Sequence, residues 1–299
     1  MSYIDTLRES RDLLTPGTSA CQGCGGELAL RRVLQIAGDN SILAVPPGCM
    51  AGAGVVGWNF ENGVRIPAHM PLLDNTASVL TGVTNMFQRR GLDINVIAFA
   101  GDGATADAGF QSLSGAAERG EKMLYICYDN EGYMNTGFQR SSTTTKGSDT
   151  STTPVGSVIP GKTQHGKFIP LVMAMHSVAY VATASPSNMK DFTEKVQKGL
   201  KASKRGFAYL HIFSPCPTGW GHESNVSIEV ARKAVRSNFF PLFEVEDGKW
   251  KLTDNLRPIP VSEFTGMLKK FEHLPPEAID GIQKVVDDRM SLLRKLSKD

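Results

Sequence analysis

Two segments, Asn95-Val-Ile-Ala-Phe-Ala-Gly-Asp-Gly103 and Met123-Leu-Tyr-Ile-Cys-Tyr-Asp-Asn130, decide the fold. Each is a short, near-continuous apolar run of strand length that ends on small or polar residues. Between them, Asp107–Arg119 carries apolar residues at helical spacing. Strand, crossover helix and second strand in that order imply a parallel pair, because a crossover is what returns the chain to the same end of a sheet. Upstream, Glu27–Ile36 predicts an amphipathic helix stopping at Gly38, and Ser41–Val45 a buried strand. A loop rich in small residues, Pro46 to Gly63, comes next, then a second helix over Asn75–Arg89. Downstream, Phe168–Met175, Ala179–Thr183, the helix Met189–Ala202 and the strand Phe207–Phe213 continue the alternation. The expected fold class is α/β, a mostly parallel twisted sheet flanked by helices. Residues 141–163 are rich in Ser, Thr and Gly and long for a plain connection, and such loops are often functional. Beyond residue 235 the pattern changes to a Pro-interrupted stretch and a charged helix, Pro276–Leu296. This predicts a main domain over 1–235 and a C-terminal extension over 236–299.

The 299 residues are 41% apolar and 21% charged, with a formal net charge of +2, an ordinary globular composition. Near-neutral charge gives no electrostatic case for nucleic acid or an anionic membrane surface. No run approaches the roughly 20 apolar residues that span a bilayer. The N-terminus, Met1-Ser-Tyr-Ile-Asp-Thr-Leu-Arg-Glu-Ser10, is polar and contains acids, unlike a secretory signal, so a cytoplasmic location is expected. Five cysteines are too few and too odd for a secreted disulfide framework, and in a reducing compartment a close pair points to a metal, a cluster or redox chemistry.

That pair is Cys21-Gln-Gly-Cys24, with Cys49 and Cys216 (in Ser-Pro-Cys-Pro) as distant companions. Thiolates two residues apart can share one centre, and Gly23 and Gly25 permit the tight backbone this needs. Four such ligands suit zinc or an iron–sulfur cluster. Scattered buried thiols or a thioredoxin-like pair fit the spacing as well. Cys127 lies inside an apolar strand and reads as core. The second candidate is Gly101-Asp102-Gly103 with Asn130 at the next strand's tip. A glycine turn closing a strand and opening a helix brings backbone N–H groups to a phosphate, in the crevice where parallel sheets bind ligands. Asp102 would repel a diphosphate unless a divalent cation stood between them, and Asn130 could supply a second oxygen ligand to Mg²⁺. A plain βα turn remains the alternative.

Two glycine patterns mislead. Gly52-Ala-Gly54-Val-Val-Gly57 matches a dinucleotide fingerprint, with Asp74 at a suitable distance, but Pro46, Pro47 and Cys49 separate it from the strand and Trp58–Gly63 reads as no helix. Gly101-Asp-Gly-Ala-Thr-Ala106 carries an acid where a bare pyrophosphate would sit. The six histidines form no metal-binding spacing, and neither a G-x-S-x-G nor a P-loop is present.

Taken together, these residues resemble the thiamine-diphosphate-binding β subunit of 2-oxoacid:ferredoxin oxidoreductases, in the pyruvate and ketoisovalerate branch. The matching segments are Cys21-Gln-Gly-Cys24-Gly25, Gly48-Cys49, Asp74-Asn75, Gly101-Asp102-Gly103, Tyr128-Asp-Asn-Glu-Gly-Tyr-Met-Asn-Thr-Gly137, Gln139-Arg-Ser-Ser142 and Ser214-Pro-Cys-Pro-Thr-Gly-Trp220. Phe240-Pro-Leu-Phe243 and Phe271-Glu-His-Leu274 extend the likeness through the tail. The resemblance implies a pyrophosphate-type thiamine fold. Cys21, Cys24, Cys49 and Cys216 would hold a [4Fe-4S] cluster, and Asp102, Asn130 and the Gly132 carbonyl would hold Mg²⁺. Gly23, Asn75, Gly101, Gly103, Ala104 and Thr136 would lie with them about the cofactor, Asn135 would face the thiazolium and substrate as the catalytic residue, and the loop after Arg140 would close over the site. The implied reaction is oxidative decarboxylation of pyruvate or a related, larger 2-oxoacid to acyl-CoA and CO₂, with electrons leaving through the cluster to ferredoxin.

The resemblance further implies a heteromeric complex. Thiamine is activated by a carboxylate that the family carries on a separate subunit, and no eight-cysteine ferredoxin-like segment is present here. Partners would be α-, γ- and δ-type subunits, with residues 236–299 packing on them. This chain departs from the family in Gly26 before Glu27, in the small apolar segment Met50–Gly57, and in His69, one place off the family histidine; all three fall where substrate fit is decided. The rivals are a non-oxidative thiamine enzyme subunit with structural zinc and a nicotinamide dehydrogenase.

Overall fold

A computed structural model describes residues 4–5, 11–54, 63–157, 160–253 and 257–298. Most of the N-terminal lead-in and residues 55–62, which include Gly57 and most of Trp58–Gly63, lie outside them. The chain runs through α1 (Gly25–Ala37), β1 (Ser41–Ala44), α2 (Cys49–Gly54), β2 (Ala68–His69), α3 (Thr76–Arg89) and β3 (Asn95–Gly101). A π-helical turn (Gly103–Ala108), α4 (Phe110–Glu118) and β4 (Leu124–Asp129) follow. Beyond the long loop come α5 (Ile169–Ala174), β5 (Tyr180–Ala184), α6 (Met189–Ala202) and β6 (Ala208–Phe213). The remainder is α7 (Pro217–Trp220), α8 (Ser227–Arg236), β7 (Leu242–Glu246), β8 (Lys249–Thr253), α9 (Ser262–Thr265) and α10 (Pro276–Leu296).

All eight strands form one sheet in the order β2-β1-β3-β4-β6-β5-β7-β8. The first six pair in parallel, while β7 and β8 are antiparallel. This is the expected mostly parallel α/β fold. Strands covered on both faces read as unbroken apolar runs, which is why β3 and β4 are recognisable in the sequence. Side chains alternate between faces. Ile97, Phe99 and Ile126 pack against Leu30 and Val33 of α1 and Phe192 of α6, whereas Val96, Ala98 and Tyr125 pack with Leu80 of α3, Leu113 of α4 and Met173 of α5. A third apolar cluster, centred on Phe213, Trp220, Phe240, Phe264 and Val286, closes the end where β6 finishes.

The structure differs from the sequence reading in three places. The helix expected from Asp107 begins earlier, as a π turn in which the Gly109 amide reaches the Ala104 carbonyl five residues back (2.9 Å). The loop expected over Pro46–Gly63 holds the short helix α2, which places Gly52 and Gly54 inside a helix and leaves no strand-to-turn phosphate loop there. The stretch after residue 235 contains the β7–β8 hairpin, whose Asp247 (φ 49°) and Gly248 (φ 78°) make the left-handed two-residue turn suited to a right-twisted ribbon. Residues 236–299 therefore join the main sheet through β7, and Met290 and Leu293 of α10 enter its core.

Candidate functional site

The strands β3 and β4 lie side by side with Gly101 opposite Tyr128, so their C-terminal tips deliver Asp102 and Asn130 to one edge. Asp102 is fully buried, and Asn130 and Gly132 are buried beside it. One position of the Asn130 side-chain amide lies 2.9 Å from Asp102 Oδ1 and 2.9 Å from the Gly132 carbonyl. With nitrogen there, the amide donates to both. With oxygen there, three acceptors face one another and only a cation relieves them. The three groups chosen from the sequence as Mg²⁺ ligands thus converge on one point, and their oxygen chemistry fits that ion.

Behind this point the polar groups form a chain. Thr143 Oγ1 is 2.9 Å from Asp102 Oδ2 and 2.9 Å from Asp129 Oδ1. A hydroxyl has one hydrogen, so it cannot donate to two carboxylates at once. Burial, then the charge of Asp129, pushes the Asp102 carboxyl well above its ordinary range. Burial also pushes Asp129 up, but hydrogen bonds from His211, from the Glu131 amide and from Thr143 outweigh it and hold Asp129 below the usual range. Burial and the Asp129 charge thus favour the neutral form of Asp102, and the donors around Asp129 favour its ionised form. His211 Nε2 is 2.9 Å from Asp129 Oδ2, and its Nδ1 is 2.7 Å from the Tyr209 hydroxyl.

The π turn opens at Gly103, beside Asp102, with Gly103 and Ala104 buried at its start. The Tyr133 hydroxyl donates to the Gly103 carbonyl (3.2 Å), and Ser142 ties the long loop to Asp107 through its amide and hydroxyl. Ser141, Thr143 and Thr144 are buried against this corner, and the Thr144 hydroxyl donates to the Glu131 carbonyl (2.7 Å). Asn75 precedes α3, and its buried Oδ1 has no hydrogen-bond partner among the described residues, an acceptor open to a ligand donor. Asn135 and Thr136 stand exposed on the turn Met134–Thr136. Thr136 bonds to Gln139 and to the Tyr133 carbonyl; no hydrogen bond among the described residues joins either residue to Asp102 or Asn130.

The cysteines gather next to this corner. Cys24 caps α1, its sulfur accepting from the Glu27 amide (3.5 Å), and Cys216 caps α7 by accepting from Gly219 (3.4 Å). The two caps meet because the Gly25 amide donates to the Pro215 carbonyl (3.0 Å). A Cβ at Gly25 would sit 2.6 Å from the Pro215 ring, so glycine is required for that approach. Gly23 turns at φ 74° against the Ser224 carbonyl, which gives it a packing role beside the cysteines. Cys49 begins α2 and lies within electrostatic reach of Cys24, Cys216, Cys21 and Asp102. Burial first, then the neighbouring thiolates, pushes Cys49 up to about 12; burial raises Cys216 to about 11 and raises Cys24 as well. The Gly25–Pro215 contact thus brings the distant Cys216 segment beside the Cys24 turn. Among the described residues, no three His, Cys, Asp or Glu side chains stand close enough together to grip one metal ion. Cys127 is fully buried in β4, apart from this group.

Two side chains join the corners. The Tyr128 hydroxyl lies 3.5 Å from the Met50 amide, next to Cys49, and would meet a Cβ placed on Gly101 at 3.2 Å. Trp220, at the end of the helix that Cys216 caps, donates its indole N–H to the Asn130 carbonyl (2.8 Å).

Sequence reasoning did not single out Thr143, Asp129, His211 or Trp220, nor the buried pair Glu131–Lys270 (2.7 Å). His211 reads as one histidine in an apolar strand. It pairs with Cys127 across β4 and β6, on the same face as Asp129, only because β6 inserts between β4 and β5.

Residues 62–212 match the family model described as thiamine pyrophosphate enzyme, C-terminal TPP binding domain. The NADH-dependent phenylglyoxylate dehydrogenase subunit beta of Aromatoleum evansii is 48% identical over 96% of this chain, which spans 65% of that relative's length. The pyruvate synthase subunit PorB of Methanothermobacter thermautotrophicus is 43% identical, with 95% of this chain and 98% of the relative covered. The chain belongs to the thiamine-diphosphate-binding β-subunit family of 2-oxoacid:ferredoxin oxidoreductases. Within that family the ketoisovalerate oxidoreductase subunit VorB of Pyrococcus furiosus is 38% identical over 94% of this chain and 92% of its own. A solved 2-oxoglutarate:ferredoxin oxidoreductase from Magnetococcus marinus shares the fold, with a TM-score of 0.58 at 23% identity, covering 78% of this chain and 80% of that one. Family and fold agree with the sequence reading, and the TPP-binding domain spans both strand tips.

Proposed function

We propose that this chain is the thiamine-diphosphate-binding subunit of a complex that oxidatively decarboxylates pyruvate or a larger 2-oxoacid to acyl-CoA and CO₂ and delivers the electrons to ferredoxin. The observation that carries this reading is the meeting of Asp102, Asn130 and the Gly132 carbonyl at adjacent strand tips, tied through Trp220 to the helix that Cys216 caps. When bound, thiamine diphosphate supplies a carbon nucleophile for the 2-oxo group and an electron sink for CO₂ loss, and a [4Fe-4S] centre supplies a one-electron acceptor.

Asp102, Asn130 and the Gly132 carbonyl hold Mg²⁺ in this reading, and the amides of Gly103 and Ala104 with Thr136 meet the diphosphate. Thr143 and Asp129 fix the Asp102 carboxyl, while His211 keeps Asp129 ionised. The loop through Ser141–Thr145 excludes water from that carboxylate. Asn135, exposed on its turn, faces the substrate. A nicotinamide reading has no support from Gly52 and Gly54, which are helical, or from Asp74, which is exposed.

The α-, γ- and δ-type subunits supply the activating carboxylate and the onward electron carriers. Residues 236–299 are the part that packs on them, with β8 at the open edge of the sheet. Among the described residues no helix is long and apolar enough to cross a membrane. The test is a substrate panel of pyruvate, 2-oxoisovalerate and phenylglyoxylate on the anaerobically purified complex. Ferredoxin reduction that requires coenzyme A, Mg²⁺ and thiamine diphosphate is expected with at least one acid. Turnover by the isolated chain, or decarboxylation without any electron acceptor, would overturn the reading.

A further inference from the structure

A cavity of about 590 Å³ lies between the long loop, the end of β6 and α10, within the roughly 300–1,000 Å³ of small-molecule pockets. Asp129, Thr143 and His211 border it, but Asp102, Gly103, Asn130, Gly132 and Asn135 do not, so it lies behind the candidate magnesium corner, with Thr143 and Asp129 between the two. Phe213, Phe239, Phe240 and Ile282 form an apolar wall. Arg289 and Lys162 bring positive charge to it.

Neither cation has a carboxylate partner among the described residues. Arg289 packs 4.3 Å from the centre of the Phe168 ring and donates to the Phe239 carbonyl (3.2 Å), which uses one of its five N–H groups. Lys162 is buried and, among the described residues, donates to the carbonyls of Thr144 and Ser142. The two buried acids on the wall are already engaged: Glu131 with Lys270 and Thr145, Asp129 with His211, Thr143 and the Glu131 amide. Glu277 is exposed at the start of α10. Burial pushes the Arg289 guanidinium down to about 10, and burial with the Arg140 charge pushes the Lys162 ammonium down to about 8; the nearby Glu131 charge opposes both shifts without offsetting them. Enclosed cations without counter-ions are unfavourable, and an anion is what relieves them.

We infer that this cavity binds a small carboxylate with an aromatic or branched apolar body, its head on Arg289 and its body against Phe213, Phe239, Phe240 and Ile282. Phenylacetate is the probe, titrated calorimetrically into the full-length chain. Binding is expected, with 2-phenylethanol at least about tenfold weaker because it lacks the charge. Arg289→Met should weaken phenylacetate by about tenfold or more, and Ile282→Trp, which fills the space, should abolish binding; circular dichroism confirms that each variant folds. Excess thiamine diphosphate with Mg²⁺ should leave the titration unchanged. No binding to the wild type, equal binding of the alcohol, or a folded Arg289→Met chain with unaltered affinity would overturn the inference. So would tighter binding of phenyl phosphate, which would make the ligand a phosphate, and competition by thiamine diphosphate, which would place the acid in the cofactor's own pocket.

Discussion

The carboxylate corner and the cysteine corner sit side by side but are built differently. Asp102 and Asn130 are carried on adjacent parallel strands, and the groups behind them are tied down by hydrogen bonds from Thr143 and His211. The four cysteines come instead from a turn, two helix starts and a strand-to-helix junction, held by one backbone contact between Gly25 and Pro215 and two sulfur caps. The sheet sets the first corner without its ion. In the second, burial first and then the neighbouring sulfurs raise Cys24, Cys49 and Cys216, and in the proposed reading a cationic centre would draw these thiols together.

That difference sets the largest expected effect. In the proposed reading Cys216→Ser removes a cluster ligand, so the anaerobically purified variant should lack the visible charge-transfer absorption expected of the wild-type chain and hold far fewer than the roughly four irons expected of it. Thiamine diphosphate affinity should change by less than about threefold, under ~0.7 kcal/mol. If the iron content held, the convergence of Cys216 on the other three would be structural only. The reverse lesion is Asp102→Ala, which should weaken Mg²⁺-dependent thiamine diphosphate binding by about 100-fold or more, roughly 2.7 kcal/mol, and leave the iron untouched. Loss of both signals in either variant would mean that the corners fold as one unit through Trp220 and Tyr128.

How far each corner can be read from the sequence follows the same division. The Cys-x-x-Cys turn and the Gly-Asp-Gly turn are local, so their residues declare the chemistry directly, and the β3–α4–β4 unit shows its parallel pairing through apolar runs buried on both faces. The partners that organise Asp102 are not local. Thr143 sits 41 residues away on a loop with no periodicity, and His211 reaches Asp129 from 82 residues away across a strand inserted out of order. The hairpin β7–β8 was available in principle, since Asp247-Gly248 between two alternating runs is a turn signal; Pro241 just before β7 and the short strands obscured it.

His211→Phe tests the hidden part of the carboxylate corner. The ring shape and burial are kept, but Asp129 loses the strongest of the partners that together outweigh its desolvation. Leaving that buried acceptor short should cost about 1–3 kcal/mol in chemical denaturation of the chain. Thiamine diphosphate affinity should fall by a smaller factor than in Asp102→Ala, with iron unchanged. A variant as stable as the wild type would show that Thr143 and the Glu131 amide suffice to hold the Asp129 charge.

The smallest effect belongs away from both corners, at the antiparallel edge, and serves as their control. Glu244 on β7 accepts from the Tyr180 hydroxyl (2.8 Å) and from Lys198 (2.8 Å), with Lys251 at 3.3 Å. Burial raises its carboxyl, but Lys198 and Tyr180 outweigh that and hold it below the ordinary 4.5. A carboxylate with a depressed folded value stabilises the native state fully above its unfolded value, and that contribution is lost as pH falls through the folded one. Glu244→Gln should therefore lose about 1 kcal/mol near neutral pH, with the gap to wild type closing below about pH 4 as the wild-type carboxyl takes up its proton. Melting curves across that range check the sign. Because β7 reaches neither the cysteines nor Asp102, iron content and thiamine diphosphate affinity should stay at wild-type values. A shift in either would mean that the edge hairpin transmits to the strand tips through β5 and β6, and the corners could no longer be treated as set by their own neighbours.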